Sequence, residues 1–151
     1  MFFLIRTLSF LPLPILYGLA DYFIYPILRY IVRYRLKLVQ KNIRLSFPEK
    51  TPTEHKQIIQ DFYHHLASIL VEIIYGYRAP DEEMRQRVVF ENMELLENLA
   101  RKKHGVIAYL GHVCNWEWIA DVGKQFSDKT IVEHNVYRRQ KNTRADHAML
   151  E

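Results

Sequence analysis

An apolar run near the N-terminus constrains this chain more than any other feature. Between Thr7 and Leu28 the only charged side chain is Asp21. A run of about 22 residues would reach roughly 33 Å as a helix, enough to cross the hydrocarbon core of a bilayer. Pro12, Pro14 and Pro26 interrupt regular helix, and Asp21 is costly in lipid. No small-residue cleavage site follows a short apolar core, so the run does not read as a removable leader. Next comes a basic block: Arg29, Arg33, Arg35, Lys37, Lys41, Arg44 and Lys50 against Glu49 alone. Cations beside an apolar run suit a membrane surface carrying anionic lipid, and the positive-inside rule puts the downstream chain on the cytoplasmic side. The leading reading of residues 1–28 is an anchor that spans or re-enters the membrane. An amphipathic element lying on the membrane and a buried core helix stand beside it. Tyr17, Tyr22, Tyr25, Tyr30 and Tyr34 suit an interfacial belt, and ordinary packing would use them equally well. A nucleic-acid patch is the weaker reading of the cations, because no nucleic-acid-binding motif accompanies them.

The remaining residues, 29–151, allow one domain of ordinary size. With 49% hydrophobic and 25% charged residues the chain is not a disordered one. A single cysteine, Cys114, excludes a disulfide within one chain, and no Cys/His cluster suggests a metal site.

Local signals outline the elements. Residues 29–47 read as a basic helix with a loose apolar face, ended by Phe47-Pro48. Thr51-Pro52-Thr53-Glu54 is a helix start: Thr51 as N-cap, Pro52 at the first helical position, Glu54 completing a capping box. Ile58, Phe62, Leu66, Ile69, Leu70, Ile73 and Tyr77 then recur at helical spacing, and Gly76 and Pro80 bracket the end. His64 and His65 lie in this helix and read as surface or packed histidines, since spacing indicates no acidic partner. Asp81 to Arg87 suggests a short polar helix or turn. Asn92 is expected to cap a helix running to Lys103, with Met93, Leu96, Leu99 and Ala100 inward, Lys102, Lys103 and His104 suiting the dipole, and Gly105 as the stop. Val88–Phe90, Val106–Leu110 and Thr130–Glu133 read as strands, the second buried on both faces because it shows no alternation. The fold expected is therefore α/β.

The stretch richest in chemistry is Gly111-His112-Val113-Cys114-Asn115-Trp116-Glu117-Trp118. On one continuous α-helix the spacing of His112 and Glu117 would leave their side chains roughly 140° apart. They can meet only across a corner, with His112 on a loop leaving a strand and Glu117 in the first turn of a helix. A histidine backed by a carboxylate at such a corner has the composition of a general-base dyad. From spacing alone, an ordinary turn histidine and a helix-start glutamate favoured by the dipole is the stronger reading; the adjacent Asn115-Trp116 and the apolar run before the turn favour the catalytic pair.

Taken together, the residues resemble the bacterial lipid A biosynthesis acyltransferases, the late lauroyl/myristoyl group related to lysophospholipid acyltransferases. The resemblance runs from the apolar N-terminus through Tyr34-Arg35, Asn42 and Phe47-Pro48-Glu49 to the helix with Phe62-Tyr63. It continues through His112-x-x-Asn115-Trp116-Glu117 to Val136-Tyr137-Arg138 and Lys141-Asn142. Cys114 stands where such enzymes commonly have glycine. The family runs to about twice this length, so the resemblance implies the N-terminal part of an acyltransferase domain. That means an N-terminal membrane-associated helix, further helices and the first strands of a sheet cut short.

The resemblance also implies a reaction. A fatty acyl chain would pass from a thioester on acyl carrier protein to a hydroxyl of a lipid A precursor or related membrane lipid, at the cytoplasmic side of the inner membrane. His112 would be the general base and Glu117 would orient it. Asn115, Trp116, Arg138 and Arg139 would bind substrate, with the arginines taking phosphate. No cofactor is implied. Cys114 reads as a packing residue rather than a nucleophile. The competing reading is a truncated, non-catalytic, membrane-anchored module that binds lipid or a partner.

Overall fold

The computed structural model describes residues 2–102, 105–128, 130–132 and 134. Its longest element is α4, Pro52–Gly76, and the reason it starts where it does is local. The Thr51 hydroxyl oxygen accepts the Glu54 N–H at 3.3 Å, and the Glu54 carboxylate accepts the Thr51 N–H at 2.8 Å. The expected capping box is thus complete. The buried stripe of α4 is Ile59, Tyr63, Ala67 and Val71, one residue on from part of the stripe read from the sequence. Phe62, Leu70, Ile73 and Tyr77 all remain more than a third exposed. Two adjacent apolar stripes run along this helix, and the one carrying the small Ala67 is the one the rest of the chain covers.

Leu13, Leu16, Ala20 and Tyr25 from the N-terminal run join that stripe in the core, together with Val39 and Ile43. Tyr63 is fully buried at the centre, and its hydroxyl donates to the Tyr34 carbonyl at 2.6 Å. The N-terminal run is not the single helix expected from its length. It forms α1 (Phe2–Leu8), α2 (Leu13–Leu19) and two π-helical turns, Ala20–Ile24 and Ile27–Ile31. The prolines account for two of the breaks: Pro12 stands at the head of α2 and Pro26 at the head of the second π turn. Arg33 and Arg35, both left-handed with φ of 52° and 51°, end the winding. The expected basic helix is thereby shortened to α3, Leu36–Ser46, which leaves at 90° to Leu13–Ile31 and stops at Phe47 before Pro48. No single helix among the described residues is long and apolar enough to cross a membrane. Leu13–Ile31 and Leu36–Ser46 meet that requirement only as a bent pair.

Beyond α4, Pro80 opens the short polar helix α5, Asp81–Arg87. Glu83 on α5 accepts hydrogen bonds from the Tyr75 hydroxyl of α4 and from Arg87.

The chain divides into two compact units, Met1–Val89 with Tyr109–Ile119, and Phe90–Ala108 with Ala120–Glu151. In the second, α6 spans Met93–Arg101. Asn92 heads it in a left-handed conformation, but its side chain makes no capping bond. Met93, Leu96, Leu99 and Ala100 are half-buried, whereas the buried residue of α6 is Glu97. Its carboxylate accepts the Ser127 N–H and hydroxyl, both at 2.6 Å, and Arg101 at 3.2 Å.

The α/β expectation is overturned. No strand occurs among the described residues. The run Val106–Leu110 is irregular and exposed, with Ile107 82% and Tyr109 94% accessible. A strand exists only through hydrogen bonds to a neighbour, and no neighbouring strand is present among the described residues to pair with it. Val88 is extended, yet Val88–Phe90 and Thr130–Val132 are equally unpaired. Lys103, His104, Glu133 and residues 136–142 lie outside the described residues.

Candidate active site

The His112 segment is a corner, as its spacing requires. The Gly111 carbonyl accepts the Val113 N–H at 2.8 Å, a three-residue turn with His112 at its centre. Cys114 follows with φ of 52°. The Asn115 carbonyl then accepts the Trp118 N–H at 3.3 Å as the chain enters a 3₁₀ helix, Trp116–Gln125. Glu117 lies in its first turn and is half-buried. His112 is exposed, and its ring packs edge-on against Trp116, with centroids 4.9 Å apart and planes at 65°. The corner is therefore formed from a turn and a 3₁₀ helix, where a strand and an α-helix were expected. Among the described residues no hydrogen bond or ion pair joins His112 to Glu117. Arg138 and Arg139 lie outside the described residues.

The corner is held by a residue to which the sequence reading gave no role. Glu72 on α4 accepts the Asn115 side-chain N–H at 2.9 Å through Oε2 and the Tyr17 hydroxyl at 2.7 Å through Oε1. Its backbone carbonyl also accepts the Trp118 indole N–H at 3.3 Å. Gly76 lets that indole lie against α4, because a Cβ there would stand 3.1 Å from the Trp118 ring nitrogen. The Asn115 carbonyl oxygen, Oδ1, is buried with no hydrogen-bond partner. Glu72 was missed because its partners stand 43 and 55 positions away. A usable signal was nonetheless present: one carboxylate inside the apolar sequence Ile69-Leu70-Val71-Glu72-Ile73-Ile74. A charge there needs partners to offset its desolvation.

His64 is a packed histidine, as expected, and it also has an acidic partner that helical spacing did not indicate. Its Nδ1 lies 3.0 Å from an Asp21 carboxylate oxygen, and its ring stacks on Tyr25 at 3.6 Å. This pairing gives the lone charge of the N-terminal run a place. Among the described residues no group of three or more His, Cys, Asp or Glu side chains could hold a metal ion. An open groove of about 280 Å³ between α3 and α4, lined in part by Tyr34, Arg35, Asn42 and Phe62, contains none of the expected site residues.

A family model for the bacterial lipid A biosynthesis acyltransferases matches residues 1–151. The chain belongs to this family. Neither a curated protein nor a solved structure matches it significantly. The matched range of the lipid A acyltransferase family takes in the N-terminal helices, α4 and the His112 corner alike. The family carries an acyltransferase activity of lipid A biosynthesis, which implies an acyl donor and a lipid acceptor.

Proposed function

We propose that this chain transfers a fatty acyl group from a thioester on acyl carrier protein to a hydroxyl of a lipid A precursor or a related membrane lipid. The observation that carries the reading is the family match along residues 1–151, which contains an exposed histidine on the His112-x-x-Asn115-Trp116-Glu117 corner. His112 takes the proton from the acceptor hydroxyl as its oxygen attacks the thioester carbonyl. The tetrahedral intermediate then collapses, the C–S bond breaks, and the imidazolium returns the proton to the departing thiolate. Glu117 fixes the imidazole tautomer and stabilises the imidazolium. Catalytic hydrogen bonds commonly tighten only when substrate binds, and closure of Glu117 onto His112 is part of the proposal. Asn115 and Trp116 border the acceptor, and Arg138 and Arg139 take its phosphate. No covalent acyl-enzyme is needed, so Cys114 has no chemical role.

Residues 1–28 serve as the membrane anchor of the domain that follows, at the cytoplasmic face of the inner membrane. Exposed Tyr22 and Phe23 within this segment, shortly before the basic block, support this. His112→Ala tests the chemistry. Loss of a general base lowers kcat by about 10²–10⁴-fold, while membrane binding persists. Substantial transfer by this variant would overturn the role of His112.

A second reading is a non-catalytic lipid- or partner-binding module. The observation that favours it is the absence of a His112–Glu117 bond among the described residues. A purified chain that folds and binds lipid but transfers no acyl group would select it.

A further inference from the structure

Beyond the two residues assigned to the chemistry, we infer that Glu72 is a positioning residue for the reaction, holding the His112 corner through Asn115. The inference rests on the reading of His112 given above.

Three segments meet at this carboxylate: Tyr17 from the N-terminal run, α4 itself, and the corner. Each oxygen has a different donor, so the carboxylate has one favourable orientation. Asn115 stands three residues after His112 and two before Glu117. Fixing its side chain therefore fixes the backbone from which both leave. Glu72 also decides which way the Asn115 amide faces. Flipping the amide would turn Oδ1 toward a carboxylate oxygen, replacing a charge-assisted hydrogen bond with repulsion. The present orientation leaves Oδ1 buried without a partner, a cost the bond to Glu72 offsets. The Trp118 indole, bound to the Glu72 carbonyl and resting on Gly76, pins the far side of the corner to the same turn of α4.

A charge swap tests this. Asn115→Asp sets two carboxylates against each other. Combining it with Glu72→Gln reverses the bond, so that the new amide donates to the new carboxylate and the net charge at the pair is unchanged. Activity is measured on unlabelled protein. Cys114, the one cysteine in the sequence and exposed, takes a spin label that reports the mobility of the corner.

Asn115→Asp is expected to raise label mobility and to lower kcat by about 10²-fold, the scale of a small misplacement of reacting groups. KM for the acyl donor and the unfolding temperature should change little. The swapped pair is expected to restore both the label spectrum and most of kcat. Unchanged label mobility in Asn115→Asp overturns the inference, as does failure of the swapped pair to recover, or a mobile corner with undiminished kcat.

The His112→Ala variant separates this outcome from failure of the underlying reading. If it is inactive but the swap does not recover, Glu72 loses its role and His112 keeps its own. If it remains active while the swap controls the label, the corner is positioned by Glu72 but His112 is not the base, and the inference falls as a statement about the reaction.

Discussion

At the scale of single residues, the carboxylates were the least legible part of this chain. Glu72, Glu97 and Asp21 are each satisfied by partners far along the sequence. Helical spacing speaks only for neighbours three or four positions away. Glu97 illustrates the consequence. It lies in α6, and Ser127, 30 positions on, donates to its carboxylate twice. The Ser127 hydroxyl and N–H, and to a lesser degree the Arg101 guanidinium, hold its carboxyl below the usual glutamate range. The proton is thus bound more weakly in the folded chain than in the unfolded one. Ionised Glu97 therefore stabilises the fold above the unfolded value of about 4.3, and that contribution fades as pH falls through the folded value. Glu97→Gln should unfold at a lower temperature than the parent at neutral pH. The gap should narrow as the solution is acidified below about pH 4. A pH-independent gap in thermal unfolding would show that the charge contributes nothing.

At the scale of elements, legibility followed the reach of the interactions. The start of α4 was readable because Thr51, Pro52 and Glu54 decide it among themselves. The ends of α3 and α4 were readable from Pro48 and from Gly76 with Pro80. The facing of α4 was only partly readable, since two apolar stripes competed and the choice depended on what packed there. The three runs expected to be strands form none among the described residues. A five-residue apolar run such as Val106–Leu110 states a preference for burial but names no neighbour, and pairing decides the outcome. The capping box gives this scale its prediction. Backbone and side-chain hydrogen bonds from Thr51, then Lys50, pull the Glu54 carboxyl down to about 2. Thr51→Ala removes the hydroxyl that accepts the Glu54 N–H and should destabilise the first unit by about 1 kcal/mol in chemical denaturation. Because ionised Glu54 accepts the Thr51 N–H and hydroxyl more strongly than the neutral acid does, the box should weaken as pH falls from about 4.3 toward 2. Equal stability of parent and variant at neutral pH would refute the contribution of the cap.

At the scale of the molecule, the N-terminal run proves to have two obligations. One side packs Leu13, Leu16, Ala20 and Tyr25 into the core with α4, so the run is part of the fold. Other positions in and just after it leave Tyr22 80%, Phe23 61%, Ile31 75% and Val32 59% exposed, the last two among the cations of residues 29–50. A chain read as acting on membrane lipid would use such residues to enter the interface, with the arginines and lysines meeting anionic headgroups. The two contributions separate by experiment, because salt screens the charges while leaving the apolar burial intact. Phe23→Gln with Ile31→Gln removes apolar side chains that the core does not use, so thermal unfolding should barely change. Binding to phosphatidylglycerol vesicles should weaken about tenfold for each substitution, the equivalent of about 1.4 kcal/mol of lost apolar burial. Raising the salt concentration should weaken parent and variant by similar factors. Replacing phosphatidylglycerol with phosphatidylcholine should have the same effect as salt, since about 1 kcal/mol per cation near the surface depends on the anionic lipid. If the double variant binds both kinds of vesicle as tightly as the parent, these side chains do not face lipid.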